Sequence, residues 1–199
     1  MSRFENFATR ECLLPMVEME DFSPAYREIA EEAVARTGRL SNSTKAMAHG
    51  GDMAASTRDF FAIATAGGSL GKEFALLIRL VVSNLNACIY CSTHQVKALE
   101  KLGLEREKID NAHAFETHPA FNDRERTALS FAAALTRDSA NIPDDLCERF
   151  CAEFSPQERV EIALVTCAMG VFNKFNDGMR VPLEDGAMET AEKVAAALD

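Results

Sequence analysis

Apolar positions recur along most of the chain at intervals of three and four, the period of a helix with one buried side. Ser23-Pro24 opens the first clear case, with Ser as cap and Pro at the first helical position, and Ile29, Ala33 and Val34 lead to a stop at Gly38. Residues 39–42 read as a loop. A short helix is predicted over 44–49, ended by Gly50-Gly51, and a longer one over 53–66 with Phe60, Ile63 and Ala64 inward. After Gly67-Gly68, Ser69 is placed to cap a helix over 70–85, whose Phe74, Leu77, Ile78, Val81 and Val82 make a wide apolar face. The next helix starts from a cap at Asn86 and runs to Leu102, with Gly103 as its stop. A short helix follows over 105–115. Asn122 or Asp123 then opens an amphipathic helix with Ala128, Leu129, Phe131, Ala132 and Leu135 inside. Pro143 opens a short helix to about residue 154. Ser155-Pro156-Gln157-Glu158 is a capping box that starts a long apolar helix to about residue 179, ahead of Pro182. A last amphipathic helix covers 184–198. Residues 1–22, with Pro15 and several acids, show no period. The expectation is an all-α chain: an N-terminal arm at 1–22, a helical domain at 23–183 and a C-terminal helix at 184–199.

Composition supports this. The chain has 199 residues, 47% apolar and 26% charged, enough to bury a core and ordinary for a soluble globular protein. Ala, Glu and Leu abound while β-branched runs are few, which favours helix. A net charge of −10 argues against nucleic acid and anionic membranes as partners, because both attract basic patches. Arg79 interrupts the best apolar run, so no membrane span is expected. The start, Met1-Ser2-Arg3-Phe4-Glu5, is too polar for a signal peptide. A cytoplasmic location is therefore expected. There, six cysteines are not a disulfide scaffold, and paired ones point to catalysis.

One pair stands out. Cys88-Ile89-Tyr90-Cys91-Ser92-Thr93-His94 places two cysteines and a histidine at successive intervals of three, side by side on a helix. The sulfurs come within reach of a disulfide, and the histidine can hold or exchange a proton beside the second. Three other readings compete. Two cysteines on a buried face can be small core residues. Zinc wants about four ligands, and no second Cys-x-x-Cys or His-x-x-x-His is present. A c-type haem wants His directly after the second Cys, where Ser92 stands. Dithiol redox chemistry fits best. Position near the helix start favours an anion at Cys88, whereas His94 favours Cys91. Cys12, Cys147, Cys151 and Cys167 lack such a context, and His49, His113 and His118 read as surface or packing residues. No phosphate loop and no flavin or nicotinamide motif is visible, so no cofactor is expected.

The stretch from Lys72-Glu73-Phe74 to Asn86-Ala87-Cys88-Ile89-Tyr90-Cys91-Ser92-Thr93-His94 resembles the AhpD-like branch of the carboxymuconolactone decarboxylase family. Lys45-Ala46-Met47-Ala48-His49, Phe121-Asn122-Asp123-Arg124-Glu125-Arg126 and Phe172-Asn173-Lys174-Phe175-Asn176-Asp177 resemble further elements of it, so the likeness runs over residues 20–183. The resemblance implies an AhpD-like helical bundle with a Cys-x-x-Cys helical hairpin, assembled as a homo-oligomer. It implies a thiol-dependent peroxidase or disulfide oxidoreductase that takes a hydroperoxide and an external thiol or dithiol donor. It also implies four catalytic residues: Cys91 as nucleophile, Cys88 as resolving thiol, and His94 and Glu73 as proton relay. Two departures exist. The best-known pattern has one more residue before the histidine, and its acid falls where Leu76 stands here. Glu73 would lie on the order of 20 Å from Cys88 on a straight helix, so it serves the thiols only if the chain reverses near residues 84–87 or a neighbouring subunit brings its own Glu73 across. Even then a simple hairpin sets Cys91 opposite Val81, nearer Arg79 than Glu73. The alternatives are a lactone decarboxylase, which needs no dithiol, and a redox-inert oligomeric binding protein. Asn173, Asn176 and Asp177 could satisfy buried polar groups near the site, but capping is the simpler account.

Overall fold

The computed structural model describes residues 2–198, and the described residues contain helices and no strand. The α-helices are α1 (Arg3–Thr9), α2 (Pro24–Thr37), α3 (Asn42–Met47), α4 (Gly51–Ala66), α5 (Lys72–Leu85), α6 (Ile89–Leu102), α7 (Arg106–Asp110), α8 (Asp123–Arg137), α9 (Asp144–Glu153), α10 (Pro156–Gly178) and α11 (Met188–Leu198). Among the described residues no single helix is long and apolar enough to cross a membrane.

The core centres on α5, which packs against α6, α8 and α10. Its Leu76, Leu77, Ile78, Leu80, Val81 and Val82 are all buried. Each such side chain contributes about 1.5–3 kcal/mol by leaving water. Tyr90 and Leu99 of α6, Leu129 of α8 and Ile162 and Met169 of α10 complete the interior. Two reciprocal capping boxes start α8 and α10: Asn122 with Glu125, and Ser155 with Glu158. These satisfy otherwise free N–H groups, which is why both helix starts are legible in the sequence.

Several local expectations are corrected. Residues 1–22 are not wholly irregular, since Ser2 and Glu5 form a third capping box that supports α1. Phe60 and Ile63 do not face inward but stand 39% and 68% exposed. α4 is apolar on more than one side, so its pattern does not choose a face. Packing chooses Ala54 and Ala55, while the Phe61 ring packs tilted against Phe172 with centroids 3.9 Å apart. Ser69 does not cap α5, which begins at Lys72; instead its backbone and hydroxyl donate to Glu161 of α10. The 105–115 helix divides into α7 and a 3-10 turn at Ala112–Ala114.

Candidate functional site

The site begins at the reversal between α5 and α6. Asn86 does not cap α6. It closes α5 instead, donating its N–H to Val82 O at 3.0 Å. Ala87 then takes a left-handed conformation at φ 55, and Cys88 N–H donates to Ser83 O at 3.0 Å. Such a conformation costs a residue with a Cβ roughly 1 kcal/mol. The backbone bonds on either side hold it. Two residues are thus consumed in turning, and Cys88 becomes the N-cap of α6, its sulfur accepting from Cys91 N–H at 3.4 Å. Both thiols stand at the positive end of a helix, where an anion is favoured.

Both are free and almost sealed from water, Cys88 at 0% and Cys91 at 3% exposure. They are not equivalent. Burial pushes the Cys88 thiol up, and its hydrogen bond to Cys91 pushes it further. Burial also opposes ionisation of Cys91, but hydrogen bonds from Cys88, Asn176 and Asn173 outweigh it and bring that thiol below its ordinary range. Asn176 Nδ2 donates to Cys91 Sγ at 3.2 Å. Asn173 donates to Ser83 Oγ at 3.2 Å and accepts from Asn86 Nδ2 at 2.9 Å. Neither asparagine is a capping residue; both are buried side chains inside α10 that serve the Cys turn. Asp177 disfavours charge on both thiols, though Arg10 pairs with it at 3.0 Å. Arg79 sits with its guanidinium 4.9 Å from the Phe61 ring centroid, and burial lowers its pKa to about 10 against the support of nearby Cys91.

A second cluster forms around His94. Its Nε2 lies 3.0 Å from Glu184 Oε2, close but off the line of a good hydrogen bond. Arg39 Nη2 stands 3.3 Å from His94 Nδ1. A guanidinium only donates, so Nδ1 is the acceptor and the ring proton sits on Nε2, facing the carboxylate. Burial lowers the His94 pKa in spite of Glu184. Glu184 is bound from several sides: Asn42 N–H at 2.7 Å, Tyr90 Oη at 2.8 Å and Arg39 at 3.4 Å. Burial would raise its pKa, yet His94, the Asn42 N–H and the Tyr90 hydroxyl bring it down to about 2. Tyr90 also accepts from Ser43 N–H at 3.0 Å, which ties α3 to α6.

Of the four residues expected at the site, the structure brings together Cys88 and Cys91. His94 shares their helix, but among the described residues its polar partners are Glu184 and Arg39, and no hydrogen bond joins it to a sulfur. Glu73 is exposed in the first turn of α5, at the opposite end of that helix from the Cys turn. The hairpin does not bring it to the thiols within one chain, and Glu184 is the carboxylate that meets the histidine. Glu184 lay unread in the sequence because its local pattern marks only the lead-in to a final helix; α11 begins four residues later, at Met188. Asn176 and Asn173 were visible as residues, but no local signal gives the side chain they would meet. Among the described residues no three His, Cys, Asp or Glu side chains are grouped to hold a metal ion.

Comparison with known proteins finds a family model and similar folds. The sequence model described as the carboxymuconolactone decarboxylase family matches residues 51–134, which include the Cys turn. The uncharacterized protein YdfG of Bacillus subtilis (strain 168) is 23% identical over 112 residues, 56% of this chain and 76% of its own length. In structure, the apo debrominase Bmp8 superposes with a TM-score of 0.82 at 23% identity, covering 92% of this chain and 98% of its own. An uncharacterized peroxidase-related protein from Ralstonia eutropha JMP134, described as an alkylhydroperoxidase AhpD core, superposes with a TM-score of 0.77 at 22% identity, covering 91% and 96%.

Proposed function

From the match of residues 51–134 to the carboxymuconolactone decarboxylase family model and the AhpD-like helical fold, we propose that this chain is a thiol-dependent peroxidase using Cys91 and Cys88. The observation that carries the reading is the asymmetry of the pair: Cys91 accepts from a buried amide, while Cys88 keeps its proton. A thiolate beside a protonated partner is the arrangement for attack followed by resolution. Cys91 sulfur attacks the terminal oxygen of a hydroperoxide. An S–O bond forms, the O–O bond breaks, and the alkoxide leaves with the electron pair. It recovers the proton that Cys91 gave up on ionising. Cys91 is then a sulfenic acid, and Cys88 displaces its oxygen as water to form a disulfide. An external dithiol restores both thiols by exchange. His94 and Glu184 form the proton-handling cluster beside α6, with Glu184 in the role first assigned to Glu73. A lactone decarboxylase needs no such pair of sulfurs. With one equivalent of a hydroperoxide, titratable thiols should fall by about two per chain and return with a dithiol. A thiol count unchanged by hydroperoxide would end the peroxidase reading.

The proposed working form is a homo-oligomer. Val160, Leu164 and Val171, spaced by four and seven, are 57%, 44% and 47% exposed along one face of α10. This is the spacing of a helix-pairing seam, and such a face is stabilised by cover. Light scattering should give a mass of more than one chain, and Leu164→Glu should lower it toward that of one. A single-chain mass for the wild type at micromolar concentration would count against assembly.

A further inference from the structure

Asn173 and Asn176 are both buried on α10, one turn apart, and both face the Cys turn. Their hydrogen bonding differs. Asn173 uses both ends of its amide within the fold, donating to Ser83 and accepting from Asn86, besides its support of the Cys91 sulfur. Asn176 uses one end, donating to Cys91 Sγ at 3.2 Å. Its Oδ1 is buried with no partner, on a residue only 2% exposed. A buried carbonyl oxygen left bare costs on the order of 1–3 kcal/mol, so native structures rarely keep one without use. This oxygen belongs to the same rigid amide whose nitrogen touches the sulfur. A group that donates to it is held by the same amide that donates to Cys91.

We propose that Asn176 is a catalytic residue whose two ends align the reaction: its N–H holds the Cys91 sulfur, and its Oδ1 accepts the O–H of the hydroperoxide oxygen under attack. This rests on the peroxidase reading and adds a residue to it. The planar amide fixes the separation of its two ends, so sulfur and oxygen are presented to each other in one orientation, the kind of positioning that lowers a barrier by removing rotational freedom. Protons and electrons balance as in the scheme above. The O–H stays on the transferred oxygen and becomes the sulfenic acid proton. The S–O bond forms as the O–O bond breaks, and the leaving alkoxide takes up the proton Cys91 released. Asn176 is neither oxidised nor deprotonated.

The two ends are separable by experiment. Iodoacetamide reads the N–H end, because alkylation follows the thiolate fraction and needs no O–H. Cystamine is an oxidant without an O–H, and hydrogen peroxide is one with it. Modification of the Cys91 peptide is followed by mass spectrometry across pH 5–10. In Asn176→Ala the alkylation profile should move to higher pH, with a roughly tenfold or greater loss of rate at pH 7. Reaction with cystamine should fall by that same factor, and reaction with hydrogen peroxide by about a further tenfold. Asn176→Asp, nearly the same shape, guards against a folding defect in the alanine variant. It lacks the donor and places a carboxylate at the sulfur, so its profile should also move to higher pH. An alkylation profile unmoved in both variants would overturn the N–H role. Equal losses with peroxide and cystamine would overturn the Oδ1 role. A wild type inert to peroxide would overturn the peroxidase reading and the Oδ1 role together, while the alkylation arm would still decide the N–H role.

Discussion

Cys91→Ser should abolish turnover of hydroperoxide, a fall of roughly 10³-fold or more, because the attacking atom is gone and a serine hydroxyl is not ionised at neutral pH. Cys88→Ser should behave differently. Its Cys91 should react once, hold a sulfenic acid that dimedone traps, and stop, since no neighbouring thiol condenses with it. The contrast follows from the surroundings of the two sulfurs. Cys88 is a buried thiol at the helix cap, pushed up by burial and by its bond to Cys91. Cys91 is held by hydrogen bonds from Cys88 and Asn176, which bring it below its ordinary range. Steady-state assays with a dithiol donor, paired with single-turnover mass spectrometry, read both variants. Full activity in Cys91→Ser with none in Cys88→Ser would reverse the assignment.

Glu184→Gln should destabilise the fold and flatten its response to acid. Glu184 is largely buried and bound by Asn42, Tyr90, Arg39 and His94, and its pKa lies at about 2. At neutral pH His94 is uncharged, so the Asn42 N–H, the Tyr90 hydroxyl and Arg39 carry the effect there. A carboxyl whose pKa is depressed in the folded state binds fewer protons than in the unfolded chain. Its stabilisation is therefore complete above its ordinary value of about 4.3 and is lost as pH falls toward about 2. His94 acts at higher pH. Its folded pKa is lowered, so the unfolded chain takes up the proton more readily, and stability declines as pH falls below the ordinary histidine value of about 6.5. Urea unfolding across pH 7 to 2 should show both declines in the wild type. Glu184→Gln should lose roughly 1–3 kcal/mol at pH 7, since hydrogen bonds to a charged partner are replaced by weaker ones. It should also lack the wild type's additional fall between about pH 4 and 2. Equal unfolding midpoints for the two proteins at every pH would remove Glu184 from this account.

The helical class, the capping boxes at Asn122 and Ser155, the long α10 and the juxtaposition of Cys88 and Cys91 are all written locally. Caps, periodic apolar positions and the spacing of two sulfurs depend on residues within a turn or two of one another. Their physical causes therefore lie inside a short window of sequence. The need for a reversal before Cys88 was also visible, although the cap fell to Cys88 itself because Asn86 and Ala87 are consumed in the turn. Other features depend on contacts across the chain. Whether Phe60 or Phe61 faces inward is decided by Phe172, more than a hundred residues away. The partner of His94 is Glu184 rather than Glu73, because the segment after α10 folds back over α6 while the first turn of α5 points away from the Cys turn. The difference between the two thiols rests on their own mutual hydrogen bond, which is local, and on Asn176, separated from Cys91 by 85 residues. A hydrogen bond is made wherever packing delivers a donor to a buried acceptor, and no periodicity in either segment records which side chain will arrive.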